Sequence, residues 1–289
     1  MRVILISGIN GFLGSYLAKY LSSDYKIIGL ANDPENLFRL EHFNFEVSKS
    51  TDENIKNILE HNRIFAIIHA ATVYDKSEGS VLKLLTTNLM LPIKLYELAN
   101  KHEVKYFFNT DTFFNIHKTK YTYLSEYSLS KSHVLDWLTT IKNNCILINM
   151  KLYHIYGPND SLTKFVPSII SKIKENTDNI KLTPGDQKRD FIYIEDVCSA
   201  YKAVLKNLVP KESINYEFEI GTGISISIQE FVKEVKRITK STTNFHFGAL
   251  EYRENEIMDA VANNYELVKL GWKPTISLEE GLIKTILDI

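Results

Sequence analysis

Tyr127 and Lys131 stand four positions apart in the segment Glu126-Tyr-Ser-Leu-Ser-Lys131. On a helix that spacing puts both side chains on one face. A phenol has an ordinary pKa of about 10, too high to trade a proton at neutral pH. A neighbouring ammonium favours phenolate over phenol and lowers that value. Reaching about 7 takes roughly 4 kcal/mol of differential stabilisation. A pair so tuned can exchange a proton with an alcohol or carbonyl oxygen. The pattern alone is thin, since Tyr265 and Lys269 repeat it in a segment that reads as an amphipathic surface helix. Position gives the first pair its weight. Upstream, Tyr106-Phe-Phe-Asn-Thr110 is a buried strand running into polar residues. A threonine hydroxyl at a strand's carboxyl end can hold a substrate oxygen while Tyr127 moves a proton. The alternative for Thr110 is a hydroxyl satisfied within its own turn.

The elements that must position these residues begin at the amino terminus. Val3 to Ile6 is a short apolar run suited to a strand buried on both faces. Gly8, Gly11 and Gly14 follow at intervals of three, and the apolar pattern then turns helical through Leu13, Leu17 and Leu21. A strand, glycine turn and helix in this order offer bare N–H groups and a positive dipole end to an anion. Directly after a first strand, the glycines point to a dinucleotide pyrophosphate. A positively charged nicotinamide ring, with Lys131, would then supply the field on Tyr127.

The second strand, Tyr25 to Leu30, ends in Ala31-Asn32, with no acid at its tip to accept from a ribose 2′-hydroxyl. Asp33 comes one residue later and Arg39 a turn or two beyond. A small residue and a nearby arginine suit a 2′-phosphate, which favours NADP; NAD, with Arg39 as an ordinary surface residue, is the alternative. The strand Phe65 to His69 closes in His69-Ala70-Ala71, small residues that leave room for a cofactor across the sheet edge. Leu82 to His102 reads as one long amphipathic helix carrying Asn88. Strands alternate with helices through this half, which predicts right-handed crossovers and a doubly wound parallel α/β sheet.

Past Asn159 the alternation weakens. A helix is predicted over 165–173 and a strand and turn over 180–187. A strand over 191–194 is expected to lead a helix back to the main sheet. Ser227 and Leu278 are expected to open helices. The fold class is a Rossmann sheet with a smaller, discontinuous carboxyl-terminal substrate lobe. Residues 1–156 with about 190–220 form the dinucleotide-binding domain, and about 157–189 with 221–289 the lobe.

With 34 basic and 35 acidic residues the net charge is −1, which gives no basic field for nucleic acid or membrane. No apolar run approaches a membrane span. Cys145 and Cys198 lie far apart without metal-type spacing. They read as reduced structural residues of a cytoplasmic protein that needs no metal.

Taken together the motifs resemble the extended short-chain dehydrogenase/reductase family, in its NAD-dependent epimerase/dehydratase branch acting on nucleotide sugars. They are Gly8-x-x-Gly11-x-x-Gly14, His69-Ala70-Ala71, Asn88, Asn109-Thr110-Asp111-Thr112 and Tyr127-x-x-x-Lys131. Lys151-Leu-Tyr-His-Ile-Tyr-Gly157-Pro158, Arg189-Asp-Phe-Ile-Tyr-Ile-Glu-Asp196 and Gly271-Trp-Lys-Pro274 follow. The resemblance makes Thr110, Tyr127 and Lys131 the catalytic set, with Lys131 also reaching the nicotinamide ribose. It assigns cofactor contacts to Gly8, Asn10, Gly11, Phe12, Leu13, Gly14, Asn32, Arg39, His69, Ala70, Ala71, Asn88 and Tyr153. Substrate contacts fall to Thr72, Asp111, Thr112, His154, Arg189 and Arg253, the two arginines gripping a nucleotide diphosphate. His154 stands where the family usually has asparagine.

Three reactions are open to such a scaffold: 4-epimerisation, 4,6-dehydration and 4-keto reduction. Dehydratases of the family follow the threonine with Asp-Glu; here Asp111 is followed by Thr112, which removes the base. A reductase needs only Thr110, Tyr127, Lys131 and a reduced cofactor. The Asn-Thr-Asp-Thr-Phe segment looks similar to the CDP-abequose and CDP-paratose synthase type, which reduces a CDP-bound 4-keto-3,6-dideoxy sugar with NADPH. The resemblance thus implies NADPH-dependent reduction of a nucleotide-activated 4-keto deoxysugar for surface polysaccharide, with dTDP or GDP as other carriers. The alternatives are an NAD-dependent 4-epimerase and a non-catalytic dinucleotide sensor. Relatives pair through helices like Leu82–His102 and Leu129–Ile141, which implies a homodimer.

Overall fold

The computed structural model describes residues 1–74, 81–115, 124–142, 144–210 and 215–288. Its chain divides into two compact units. The first takes in Met1–Lys118, Leu124–Lys151 and Val204–Phe218; the second includes Leu152–Ala203 and Glu219–Ile289.

In chain order the first half runs β1 (Val3–Ser7), α1 (Phe12–Leu21), β2 (Lys26–Ala31), β3 (Glu46–Lys49), α2 (Asp52–His61), β4 (Ile64–His69), α3 (Val81–Leu85), α4 (Leu91–Lys101), β5 (Tyr106–Thr112), α5 (Ser125–Thr140) and β6 (Ile146–Leu152). The second half continues β7 (His154–Tyr156), α6 (Phe165–Lys174), β8 (Ile180–Lys181), β9 (Lys188–Arg189), β10 (Phe191–Tyr193), α7 (Ile194–Asn207) and β11 (Asn215–Ile220). It ends β12 (Ile226–Ser227), α8 (Ile228–Thr239), β13 (Phe245–His246), β14 (Asp259–Ala260), α9 (Tyr265–Lys269) and α10 (Leu278–Asp288).

The first unit is built on a seven-stranded sheet ordered β11-β6-β5-β4-β1-β2-β3. The pairings of β1 with β2 and β4, of β2 with β3 and of β4 with β5 are parallel. Strand order reverses between β1 and β4, so their carboxyl ends diverge there into the crevice where such sheets bind ligands. β1 and β4 carry the apolar runs expected of strands covered on both sides, and every residue of β5 is buried. On one face α2, α4 and α5 supply Ile55, Ile58, Leu95, Tyr96, Ala99, Val134 and Leu138 to a core with Leu5, Ile28, Ile67 and Phe107. Each such aliphatic side chain contributes about 2 kcal/mol by leaving water. The predicted long helix 82–102 is interrupted. Thr86–Met90 forms a π-helical turn between α3 and α4. A turn of this kind rotates one side chain out of helical register and is common at functional sites; here it carries Asn88.

The second unit is held by carboxylates that collect backbone donors. Asp190, fully buried, accepts from the N–H groups of Thr222 (2.8 Å), Gly223 (2.9 Å) and Ala262 (3.1 Å) and from the Thr222 hydroxyl (2.6 Å). Asp196 accepts likewise from Thr275 and Ile276. Ser227 caps α8 and Glu230 reaches back to its N–H, the reciprocal box that starts a helix. The strand over 191–193 corrects one expectation. It pairs with β7 in a separate two-stranded sheet instead of joining the main one. The ladder changes hands at residue 153: Tyr153 N–H still bonds the Ile220 carbonyl, whereas His154 N–H bonds that of Asp190. Among the described residues no helix is long and apolar enough to cross a membrane.

Replacing Asp190 by alanine takes the acceptor from the N–H groups of Thr222, Gly223 and Ala262, the last of them buried. Urea unfolding should register a loss of about 3 kcal/mol or more, and an unchanged midpoint would contradict this account of the second unit.

Candidate functional site

The glycine turn is set by close contact. Gly8 has φ +72°, and a Cβ there would lie 2.6 Å from Ala71 Cα and 2.7 Å from its nitrogen. A Cβ on Gly14 would lie 2.1 Å from the Gly8 carbonyl oxygen. Only bare backbone lets β1, β4 and α1 meet this closely. Helix α1 opens at Gly11 with no side-chain cap and no acidic residue in its first turn. Its first N–H groups and dipole are left to an anion, and Phe12, Leu13 and Gly14 form that first turn. The cradle fits a dinucleotide pyrophosphate. Asn10 stitches the turn to the segment after β2, its amide donating to the carbonyls of Asp33 and Asn36 (both 3.1 Å). Arg39 is drawn to the same place, donating to the Asn10 carbonyl at 3.2 Å and stacking over Phe38. Asp33 accepts from Glu35 N–H within its own turn, and Asn32 is exposed.

The strand ends of this unit and α5 gather the proton chemistry. Tyr127, Lys131, Thr110, Asp111 and Thr112 are all buried. Lys131 Nζ donates to the Thr110 carbonyl at 2.8 Å and lies 5.9 Å from the centre of the Tyr127 ring. The Thr112 hydroxyl is hydrogen-bonded to the Tyr127 phenol. Tyr74 packs on that ring, centroids 5.0 Å apart. Burial raises the phenol above its usual range, and Asp111 adds to the rise; only the Thr112 bond opposes it. The sequence-based expectation of a lowered phenol is therefore corrected for the protein's own groups. The ammonium is seated on a peptide carbonyl instead of facing the hydroxyl, and desolvation dominates. Burial brings Lys131 down to about 8, with Asp111 holding it up.

Several predicted contacts prove to be engaged with the protein. Asn88 satisfies its whole amide: it donates to the Val73 carbonyl (2.9 Å) and Ser130 Oγ (3.1 Å), and accepts from Val73 N–H (2.8 Å) and Thr72 Oγ1 (3.3 Å). It clasps the segment after β4 to α5 beside the tyrosine, since Ser130 in turn donates to the Tyr127 carbonyl at 2.7 Å. His69 is buried, its Nδ1 2.8 Å from Ser7 Oγ and its Nε2 without a hydrogen-bond partner among the described residues. Burial, with nearby Lys131, keeps it neutral. Asp111 accepts from the amides of Asn115 (2.6 Å) and Asn149 (3.0 Å).

In the second unit, Tyr153 donates to Glu219 at 2.9 Å. His154 lies edge-on to Phe191, centroids 5.6 Å apart, and burial followed by Arg189 pushes it down to about 3, a neutral ring. Arg189 is buried, paired with Glu256 and donating also to the carbonyls of Lys188 and Ile257. Arg253 is exposed, and its carbonyl accepts from Glu256 N–H at 3.1 Å. That turn brings Glu256 onto Arg189. Sequence reasoning missed Tyr74, Ser130, Asn149 and Glu256. Only Ser130, inside the Tyr-x-x-x-Lys segment, carried a local signal.

Residues 4–221 match the family model described as "NAD dependent epimerase/dehydratase family". The chain is 32% identical to a CDP-abequose synthase of Salmonella typhimurium over 96% of this chain and 95% of that one. It is 34% identical to a CDP-abequose synthase of Salmonella muenchen over 99% and 97%. Among solved structures, UDP-glucose 4-epimerase of Thermotoga maritima with UDP-glucose superposes with a TM-score of 0.83 at 21% identity, covering 99% of this chain and 98% of that one. This last likeness is one of fold.

The clasp at Asn88 is open to direct measurement. Asn88→Ala leaves the buried Val73 N–H and carbonyl unpaired and should cost on the order of 3 kcal/mol in denaturant unfolding. Full stability in that variant would show the clasp to be dispensable.

Proposed function

The chain belongs to the NAD dependent epimerase/dehydratase family, and from that premise we propose that it reduces a nucleotide-activated 4-keto deoxysugar with NADPH. Bound NADPH supplies the hydride. Tyr127 donates its proton to the oxygen on sugar carbon 4 as that oxygen gains charge, and Thr110 or Thr112 holds the same oxygen. Lys131 restores the balance of charge beneath them and reaches the nicotinamide ribose. The observation that carries this reading is the buried cluster at the strand ends, Tyr127 with Thr110 and Thr112 and with Lys131 seated on the Thr110 carbonyl; burial and Asp111 favour its phenol form. A reductase starts from phenol, whereas an epimerase must start from phenolate to take a proton from the sugar. Thr112, standing where a dehydratase would carry its glutamate, supports the same choice.

Arg39, fixed beside the glycine turn, and Asp33, occupied in its own turn, support a 2′-phosphate over a free 2′-hydroxyl. The resemblance to CDP-abequose synthases supports a CDP-sugar and a place in deoxysugar synthesis. In the second unit, Arg189 and Arg253 are the candidates for the diphosphate, since a guanidinium fork matches phosphate oxygens. The exposed apolar residues Leu82, Leu85, Met90, Leu129 and Trp137 on α3, the π turn and α5 support a homodimer formed through these helices.

Incubated with NADPH and a panel of 4-keto sugar nucleotides, the protein should consume NADPH stoichiometrically with one of them. Tyr127→Phe should cut turnover by about a hundredfold or more while still binding cofactor. No loss of NADPH absorbance with any substrate would overturn the reading in favour of a 4-epimerase that holds NAD and needs no reductant. For the cofactor, Arg39→Ala should raise the KM for NADPH by about tenfold, the loss of one charge-assisted bond. Its KM for NADH should hardly move; an equal rise for both would remove the case for NADP.

A further inference from the structure

Asp111 is the one buried acid near the proposed proton donor among the described residues that the mechanism above leaves unused. Its carboxylate is 2% exposed, and both its oxygens are taken: Oδ1 by Asn115 and Oδ2 by Asn149. Asn149 is itself clamped. Its Oδ1 accepts from Asn109 Nδ2 at 2.8 Å, and its Nδ2 also donates to Glu217 at 3.0 Å. Glu217 pairs with Lys151 at 2.6 Å. The acid is thus locked from behind by neighbours on β6 and β11. In front of it, the peptide joining Thr110 to Asp111 is the one whose carbonyl receives Lys131 Nζ.

Lys131 is as deeply buried as Asp111, at 2% exposure. An ammonium removed from water needs an opposite charge or it gives up its proton. The groups that act on it are few. Tyr127 lies on its own helix, His69 on β4 is neutral, and Asp111 on β5 is the anion. Burial raises the Asp111 carboxyl above its ordinary value, and the Asn149 amide, the Thr112 N–H, Lys131 and Lys151 oppose that rise in favour of the anion.

We propose that Asp111 is a positioning residue for Lys131: clamped by Asn115 and Asn149, its carboxylate keeps the lysine charged and seated on the Thr110 carbonyl, without itself touching substrate. This rests on the reading of Lys131 as the catalytic lysine. It departs from the substrate contact that family resemblance assigns to Asp111.

The coupling has a pH signature that a merely structural carboxylate lacks. Burial brings the Lys131 ammonium down to about 8 from its ordinary 10.5. Between those values the unfolded chain holds a proton that the folded chain has released. This group therefore makes stability rise with pH across that window. Without Asp111 the folded lysine loses its proton at still lower pH, and the extra penalty is confined to pH values where the wild-type lysine is charged.

The test is thermal unfolding of the whole chain from pH 6.5 to 10 for wild type, Asp111→Asn, Lys131→Met and the double variant. The Tm loss caused by Asp111→Asn should be greatest near pH 7, shrink as pH passes through about 8, and lose this pH dependence in the Lys131→Met background. An equal loss at every pH and in both backgrounds would overturn the proposal. Asn149→Ala, which leaves the carboxylate but removes one clamp, should show the same pH dependence with smaller amplitude. It decides the matter if Asp111→Asn does not fold. These readings need neither cofactor nor sugar, so they stand apart from the test of the reductase. With a turned-over substrate in hand, the alkaline limb of kcat/KM in Asp111→Asn should move to lower pH. Each unit of that shift costs about tenfold in rate at fixed alkaline pH. A uniformly scaled profile would count against the proposal.

Discussion

A lysine ammonium taken almost wholly out of water is the constraint around which the first unit is arranged. Moving such an ion into a protein interior costs several kcal/mol unless oxygen atoms replace the lost water. Here the replacement comes from the end of β5, where the Thr110 carbonyl accepts directly and Asp111 supplies the opposite charge. That requirement explains why a strand of buried aromatic residues finishes in four polar ones, Asn109 to Thr112, all of them buried as well. It also explains the clasp of Asn88 on Ser130. The helix bearing Lys131 must sit at a fixed height over the strand ends, and a π turn in the neighbouring helix delivers the amide that fixes it.

The same two residue types at the same spacing behave differently elsewhere in the chain. In α9, Lys269 Nζ lies 4.2 Å from the centre of the Tyr265 ring, closer than Lys131 lies to Tyr127. Yet Tyr265 is 59% exposed, and Lys269 pairs with Glu266 at the surface. Water there screens the charges and stabilises them. Tyr127 is only 8% exposed, so burial decides which protonation state prevails. Proximity within a helix is shared by both pairs; desolvation is what sets the first apart.

Close backbone approach is the second constraint. Gly8 and Ala71 touch at the point where strand order reverses, and Gly14 touches Gly8. Any larger side chain would push β1 from β4 and close the crevice at their ends. Because Asn10 donates to the segment after β2 and Arg39, from that segment, donates back to Asn10, the glycine turn and the segment after β2 are one rigid construction. In the second unit Asp190 and Asp196 do comparable work by gathering loop N–H groups, which fixes the strand bearing Arg189.

Much of this was legible in the residues alone. The alternation of apolar runs, the three glycines, the Ser227–Glu230 cap and the Tyr-x-x-x-Lys spacing are local patterns. They act through chain neighbours a few positions apart, so their consequences can be read along the sequence. Tertiary structure decided the rest. Asp111 meets Asn149 across 38 positions and Arg189 meets Glu256 across 67. The strand at Phe191 joins β7 because the ladder is handed on at Tyr153. The direction of the Tyr127 shift depends on how much water three-dimensional packing excludes and on where the ammonium points. Neither burial nor the aim of a long side chain is a property of sequence spacing, which is why the composition of the site could be read in advance and its protonation could not.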